Sequence, residues 1–151
     1  MSPMAAPDKN LNPFLILVGL AIVLNFILPI GVIIQVPYTY LGLFFILFGI
    51  SINLWCEVLF HKRKTTVNPS GSPCSLIVSG PFRISRNPIY LGMTLILLGI
   101  AIFLGTLVTF LLPLVFWAIM ETMFIPTEEK NLEKAFGKEY EDYKRKVRRW
   151  I

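Results

Sequence analysis

The residues best suited to chemistry fall in two short stretches. The first reads Ser79-Gly80-Pro81-Phe82-Arg83-Ile84-Ser85-Arg86-Asn87-Pro88-Ile89-Tyr90-Leu91-Gly92. It sets two guanidiniums, an amide and a phenol against the start of an apolar run. Asn87 precedes a proline and is held in extended backbone, which makes it a natural N-cap. The positive end of the following helix, with Arg83 and Arg86, would hold an anion such as a carboxylate. The same side chains also suit simple anchoring at a membrane interface. The second stretch is Glu128-Glu129. An acidic pair there serves either as a helix cap or as acceptors for ligand hydroxyls and amines. Two more acids, Glu57 and Glu121, stand close to the ends of apolar runs. Acids in such places are functional candidates by default, and these two are equally placed to reach the interface or to pair with Lys62 or Arg83.

Other chemistries are disfavoured by composition. Cys56 and Cys74 lack a CxxC or Cys/His pattern, so neither a disulfide nor a metal site is expected. His61 is the only histidine, which argues against paired haem ligation. Residues 1–12 lack a basic n-region, and no cleavable signal is expected.

These residues must be positioned by membrane-spanning helices. Of 151 residues, 55% are hydrophobic and 15% charged, against about 25% charged in soluble domains. Residues 11–56 and 89–120 contain no Asp, Glu, Lys, Arg or His. As a single helix the second run would reach about 48 Å, and a span needs only about 20 residues. Both runs must therefore fold back. The expected fold is all-α: one polytopic membrane domain over 1–151, with spans at 13–34, 38–60, 88–104 and 106–124 forming two hairpins. Pro37 and Gly105-Thr106 supply the turns. A polar loop, 61–87, joins the hairpins.

The tail differs in kind. Thr127 suits a cap, with the acidic pair in the first turn. Leu132, Phe136, Tyr140, Tyr143, Val147 and Trp150 recur at steps of three or four. That is one face of an amphipathic helix, expected over 127–148 with a bend at Gly137. Thirteen of the fourteen Lys and Arg residues lie in the central loop and the tail, and the other is Lys9. An even number of spans puts all fourteen on one side. The positive-inside rule makes that side cytoplasmic, both termini included, in a prokaryotic inner membrane. The net charge of +5 then reads as attraction to membrane lipids, not nucleic acid.

Two linked blocks carry a resemblance. Gly80-Pro81-Phe82-Arg83-x-x-Arg86-Asn87-Pro88-x-Tyr90-x-Gly92 resembles the signature of the isoprenylcysteine carboxyl methyltransferase family. The family's second block is matched by Glu128-Glu129, Leu132, Phe136-Gly137, Tyr140, Tyr143 and Val147. Upstream, Thr65-Thr66-Val67-x-Pro69 is similar to bacterial members. The resemblance implies an integral membrane methyltransferase that uses S-adenosylmethionine without a Rossmann fold. No strand followed by GxGxxG is evident in this chain. It implies donor contacts from Ser75, Leu76, Ile77, Phe82, Asn87, Pro88, Ile89, Tyr90 and Glu128, with Glu129 beside them. Arg83, Arg86 and Glu121 are the candidates for catalysis. The implied acceptor is lipophilic and enters from the bilayer, either a prenylcysteine-like carboxylate or a lipid amine. Many members carry His at the place of Asn87, and eukaryotic relatives carry an Arg just before the acidic pair, where this chain has none. A non-catalytic scaffold or lipid-binding protein of the same fold, and an NADPH-dependent sterol-reductase-like enzyme, are the competing readings.

Overall fold

The computed structural model of the chain describes residues 11–28, 31–63 and 75–151. Lys9, the motif at 65–69 and Cys74 lie outside them. The described chain is helical: α1 (Leu11–Ile27), α2 (Leu41–Arg63), α3 (Pro88–Leu104), α4 (Leu111–Ile119), α5 (Ile125–Phe136) and α6 (Lys138–Lys146). Its β-type pairing, among the described residues, is one isolated antiparallel bridge between Val32 and Thr106.

Four apolar helices form the bundle. Two are long enough by themselves to cross a bilayer, the 25 residues Tyr38–Lys62 and the 30 residues Leu107–Phe136. The helices Leu11–Ile27 and Pro88–Leu104 have 17 residues each. That is about 26 Å, at the short end of what spans a hydrocarbon core. Leu17 and Ala21 of α1, Tyr90 and Leu97 of α3, Leu112 and Phe116 of α4, and Met120 and Ile125 beyond it close one core. The outward faces of α2 and α4, including Leu43, Leu47, Leu54, Leu114 and Trp117, are exposed, as lipid-facing surfaces are.

Helices α2 and α3 meet backbone to backbone. A Cβ on Gly49 would lie 2.5 Å from the Gly92 carbonyl oxygen, and one on Gly42 would lie 2.3 Å from that of Gly99. Both pairs repeat after seven residues, two helical turns, so the antiparallel helices touch along their length. Such small-residue seams let membrane helices gain close packing without a hydrophobic driving force. The seam fixes the start of α3, where the first motif lies.

The two uncharged turns meet at one end. Ile33 N–H donates to the Gly105 carbonyl (2.8 Å), and Leu107 N–H donates to that of Gly31 (3.0 Å). Buried Thr109 donates to the Thr106 carbonyl at 2.7 Å. A cavity of about 510 Å³ lined by Val32, Gln35, Thr39, Tyr40, Phe103 and Leu104 lies at this end, the length of α3 away from the motif.

The tail departs from expectation. No new helix begins at Thr127. A π-turn, Met120–Phe124, joins α4 directly to α5. Pro126 has no N–H for the Thr122 carbonyl and would crowd it in a regular turn; the wider π-turn gives room and carries the helix through. The Thr127 hydroxyl donates back to the Met123 carbonyl at 3.0 Å and does not cap. The amphipathic helix is also broken. Gly137 takes φ +50°, separating α5 from α6, and α6 ends at Lys146 because Val147 is extended. Residues 148–150 therefore leave the helical face expected for Val147 and Trp150 and turn back against the bundle.

Candidate active site

The two sequence blocks converge at the charged end. Tyr90, in the first turn of α3 and 5% exposed, donates its phenolic proton to Glu128 Oε1 on α5. A phenol and a carboxylate 38 positions apart thus form one polar pair beside the apolar core. Ile77 and Phe82 pack with Cys56, and Ile89 lies against them, so a second set of expected donor residues forms an apolar wall one residue from Tyr90. Pro88 is buried, and Ser75 and Leu76, which precede Ile77, are half-buried.

Glu129 faces differently. Adjacent helical residues point about 100° apart, and while Glu128 meets Tyr90, Glu129 meets Arg86. The Arg86 Nη1 to Glu129 Oε1 distance is 3.0 Å, with both side chains about nine-tenths buried. Arg149 meets the same carboxylate, donating from Nε to Oε1 at 3.2 Å and from Nη2 to Oε2 at 2.7 Å. This is a two-toothed guanidinium–carboxylate contact. Its third contact runs from Nη1 to Glu121 Oε1, and the other Glu121 oxygen accepts from Trp150 Nε1 at 2.8 Å. The result is an alternating row, Arg86, Glu129, Arg149, Glu121, with no net charge. Hydrogen bonding to Glu129, and then to Glu121, raises the Arg149 pKa further, against the lowering effect of its burial.

Tyr140 and Tyr143 of α6 brace this row. Tyr143 donates to the Phe82 carbonyl at 2.7 Å. Burial pushes the Tyr140 phenol up to about 12, with the Glu129 charge adding to the rise and Arg86 opposing it.

Several expectations about single residues change. Asn87 precedes α3, but its side chain makes no cap. Its amide instead donates to the Arg149 carbonyl at 3.2 Å, and its own N–H is taken by Ser85 Oγ at 3.1 Å. Arg83 is exposed and does not join the cluster. Arg86 meets a carboxylate of the protein itself, so the two arginines do not form a common anion site. Glu57 is exposed and its carboxylate lies 3.9 Å from His61, one turn on, not beside Lys62 or Arg83. Glu121 pairs with Arg149 and Trp150. Neither Arg149 nor Ser85, which donates to the Arg149 carbonyl at 3.2 Å, was marked by sequence spacing.

The donor set suits a polar, hydroxyl-bearing ligand with an apolar body. Ser75 Oγ and Arg86 Nε are among the buried polar atoms that have no hydrogen-bond partner among the described residues. Unmatched buried donors cost free energy unless something supplies an acceptor. A carboxylate at Glu128 accepts from hydroxyls, and Ile77, Phe82 and Ile89 form an apolar cluster, with Ile89 next to Tyr90 in sequence. No group of three or more metal-ligating side chains occurs among the described residues.

Three curated relatives match part of the chain. An uncharacterized protein of Haemophilus influenzae is 42% identical over 62 residues, covering 41% of this chain and 98% of that protein. The cobalt-zinc-cadmium resistance protein CzcN of Cupriavidus metallidurans is 33% identical over 96 residues, 63% of this chain and 40% of CzcN. The protein-S-isoprenylcysteine O-methyltransferase of Schizosaccharomyces pombe is 38% identical over 73 residues, 48% of this chain and 30% of the yeast enzyme. The chain thus spans less than half the length of the two relatives that bear functional names. The resemblance to isoprenylcysteine methyltransferases is borne out by the yeast relative. The pattern of the phospholipid methyltransferase family matches residues 37–139, which include α2, α3, the π-turn and the acidic pair. The chain is a member of this family of membrane methyltransferases.

Proposed function

We propose that the chain transfers a methyl group from S-adenosylmethionine to a lipophilic acceptor drawn from the bilayer. The observation that carries this reading is the Tyr90–Glu128 pair. It joins the two blocks that resemble methyltransferase signatures, at the end of the bundle where a soluble ligand can arrive. When bound, the donor supplies an electrophilic sulfonium methyl group. The work left to the protein is alignment and exclusion of water.

The residues divide that work. Glu128, held by Tyr90, accepts hydrogen bonds from the donor's hydroxyls. Ser75 and Asn87 offer further polar contacts, and Ile77, Phe82 and Ile89 bury the apolar part. Leu76 and Pro88 complete the wall, and Glu129 acts from behind it through Arg86 and Arg149. Asn87 cannot titrate, so it binds and orients without moving a proton. The basic side of the bundle is taken as cytoplasmic, which places donor entry there. The acceptor reaches the same level through the hydrocarbon between spans. Its nucleophile is the carboxylate of a prenylcysteine, as the yeast relative's name suggests, or a lipid amine, as the family's description suggests.

Methyl-labelled S-adenosylmethionine, incubated with purified protein and either a farnesylcysteine analogue or phosphatidylethanolamine vesicles, tests this. Label is expected in one acceptor class and lost with Glu128→Gln. Absence of transfer to both, together with no heat of binding for the donor, would overturn the reading; binding of NADPH in its place would point to the reductase alternative.

A further inference from the structure

The end of the chain makes more contacts at this site than either sequence block explains. One carbonyl, that of Arg149, accepts from both Ser85 Oγ and Asn87 Nδ2, each at 3.2 Å. The preceding carbonyl, of Arg148, accepts from Arg86 N–H at 3.0 Å. The Arg149 side chain holds Glu129 by two teeth and Glu121 by a third contact. Trp150 closes the arrangement on Glu121, its ring 6.2 Å from that of Trp117. A single residue therefore ties the 85–87 turn, the π-turn and α5 together.

We infer that Arg149 is a positioning residue of the donor site, setting Glu128 and Asn87 in place through Glu129 and its own carbonyl, and that Glu121 is the anchor that seats it. The inference rests on the reading of the site as a donor site. Its logic is rotational. Glu128 and Glu129 are consecutive on one helix, so fixing Glu129 between Arg86 and Arg149 fixes the direction in which Glu128 projects toward Tyr90. The Asn87 amide, drawn to the Arg149 carbonyl, is turned away from capping α3. Glu121 has both oxygens occupied by protein donors, which suits an anchor and not a free base. Charge balance agrees: Arg149 neutralises the second glutamate that the Arg86–Glu129 pair leaves over.

Lysine at position 149 keeps the charge and loses the planar fork, so it separates geometry from charge. Donor titration by calorimetry and steady-state kinetics are compared for wild type, R149K, R149Q, E121Q and the R149Q/E121Q double variant, with Lys144→Ala as a surface control. The KM for S-adenosylmethionine and its Kd are expected to rise about tenfold in R149Q and several-fold in R149K. The KM for the acceptor should stay within about twofold. The double variant is expected to resemble R149Q, because two residues acting through one contact do not add. Donor affinity unchanged in R149K and R149Q, while Glu128→Gln abolishes binding, would overturn the inference and leave the methyltransferase reading standing. No donor binding by wild type would overturn both. Equal loss toward donor and acceptor, with a lowered unfolding midpoint in R149K, would assign Arg149 to stability alone.

Discussion

The two ends of the bundle are closed by different means. At the uncharged end the backbone does it, with Ile33 bonded to Gly105 and Leu107 to Gly31. At the charged end side chains do it, through the row Arg86, Glu129, Arg149, Glu121 and the Tyr90–Glu128 pair. Backbone closure depends on few residues, chiefly Gly31 and Gly105, which both take positive φ. Closure by charged side chains is more exacting, since the Arg86–Glu129 pair was taken out of water on the strength of its neighbours. The first end therefore behaves as a clamp, and the second as a site whose geometry a single substitution can shift.

The largest effect is expected at Glu129. Its replacement by Ala leaves two guanidiniums without their shared carboxylate, one of them nine-tenths buried. Loss of one partner of a buried pair costs about 3–5 kcal/mol, to be read as a lowered unfolding midpoint in detergent. Next is the seam between the ends. Gly49→Ala puts a Cβ 2.5 Å from the Gly92 carbonyl, and such overpacking costs about 1–3 kcal/mol. It should also weaken donor binding, because α3 carries Tyr90. At the uncharged end, Thr109→Val removes the bond to the Thr106 carbonyl. That costs about 1 kcal/mol and should leave donor affinity unchanged; a change there would break the distinction between the two ends.

The alkaline limit sharpens the same distinction. Tyr140, pushed up to about 12 chiefly by burial, keeps its proton in the folded protein where the unfolded chain loses it near its ordinary value of 10. Its contribution is complete below pH 10 and fades as pH rises toward 12. Unfolding midpoints measured across that window should fall for wild type and fall less for Tyr140→Phe. Smallest of all is Lys144→Ala. Its pair with Glu133 is more than a third exposed on both sides, and such pairs are worth less than about 1 kcal/mol.

Much of this architecture was legible in the sequence. Long uncharged runs specify spans through hydrocarbon length alone, the turn at Gly105 follows from local pattern, and the family resemblance implies a shared ligand for Tyr90 and Glu128. What escaped has physical reasons. The helix continues through Pro126 because a π-turn relieves the clash, and no local rule marks where a π-turn forms. The sequence neighbours of Asn87 suit a cap, yet its partner stands 62 positions away. Arg149 looked like one more basic tail residue. Its importance lies in contacts to residues 85, 87, 121 and 129, which no periodicity encodes, and the turn that delivers it begins where Val147 leaves the helix.

Donor binding at the Tyr90–Glu128 pair is the measurement on which the proposed function turns. Titration calorimetry of S-adenosylmethionine against purified wild-type protein and Glu128→Gln keeps the shape of the side chain and removes its charge. Wild type is expected to bind, and the variant to bind about tenfold or more weakly, with the unfolding midpoint little changed. Equal affinity in the two proteins would contradict the proposed function.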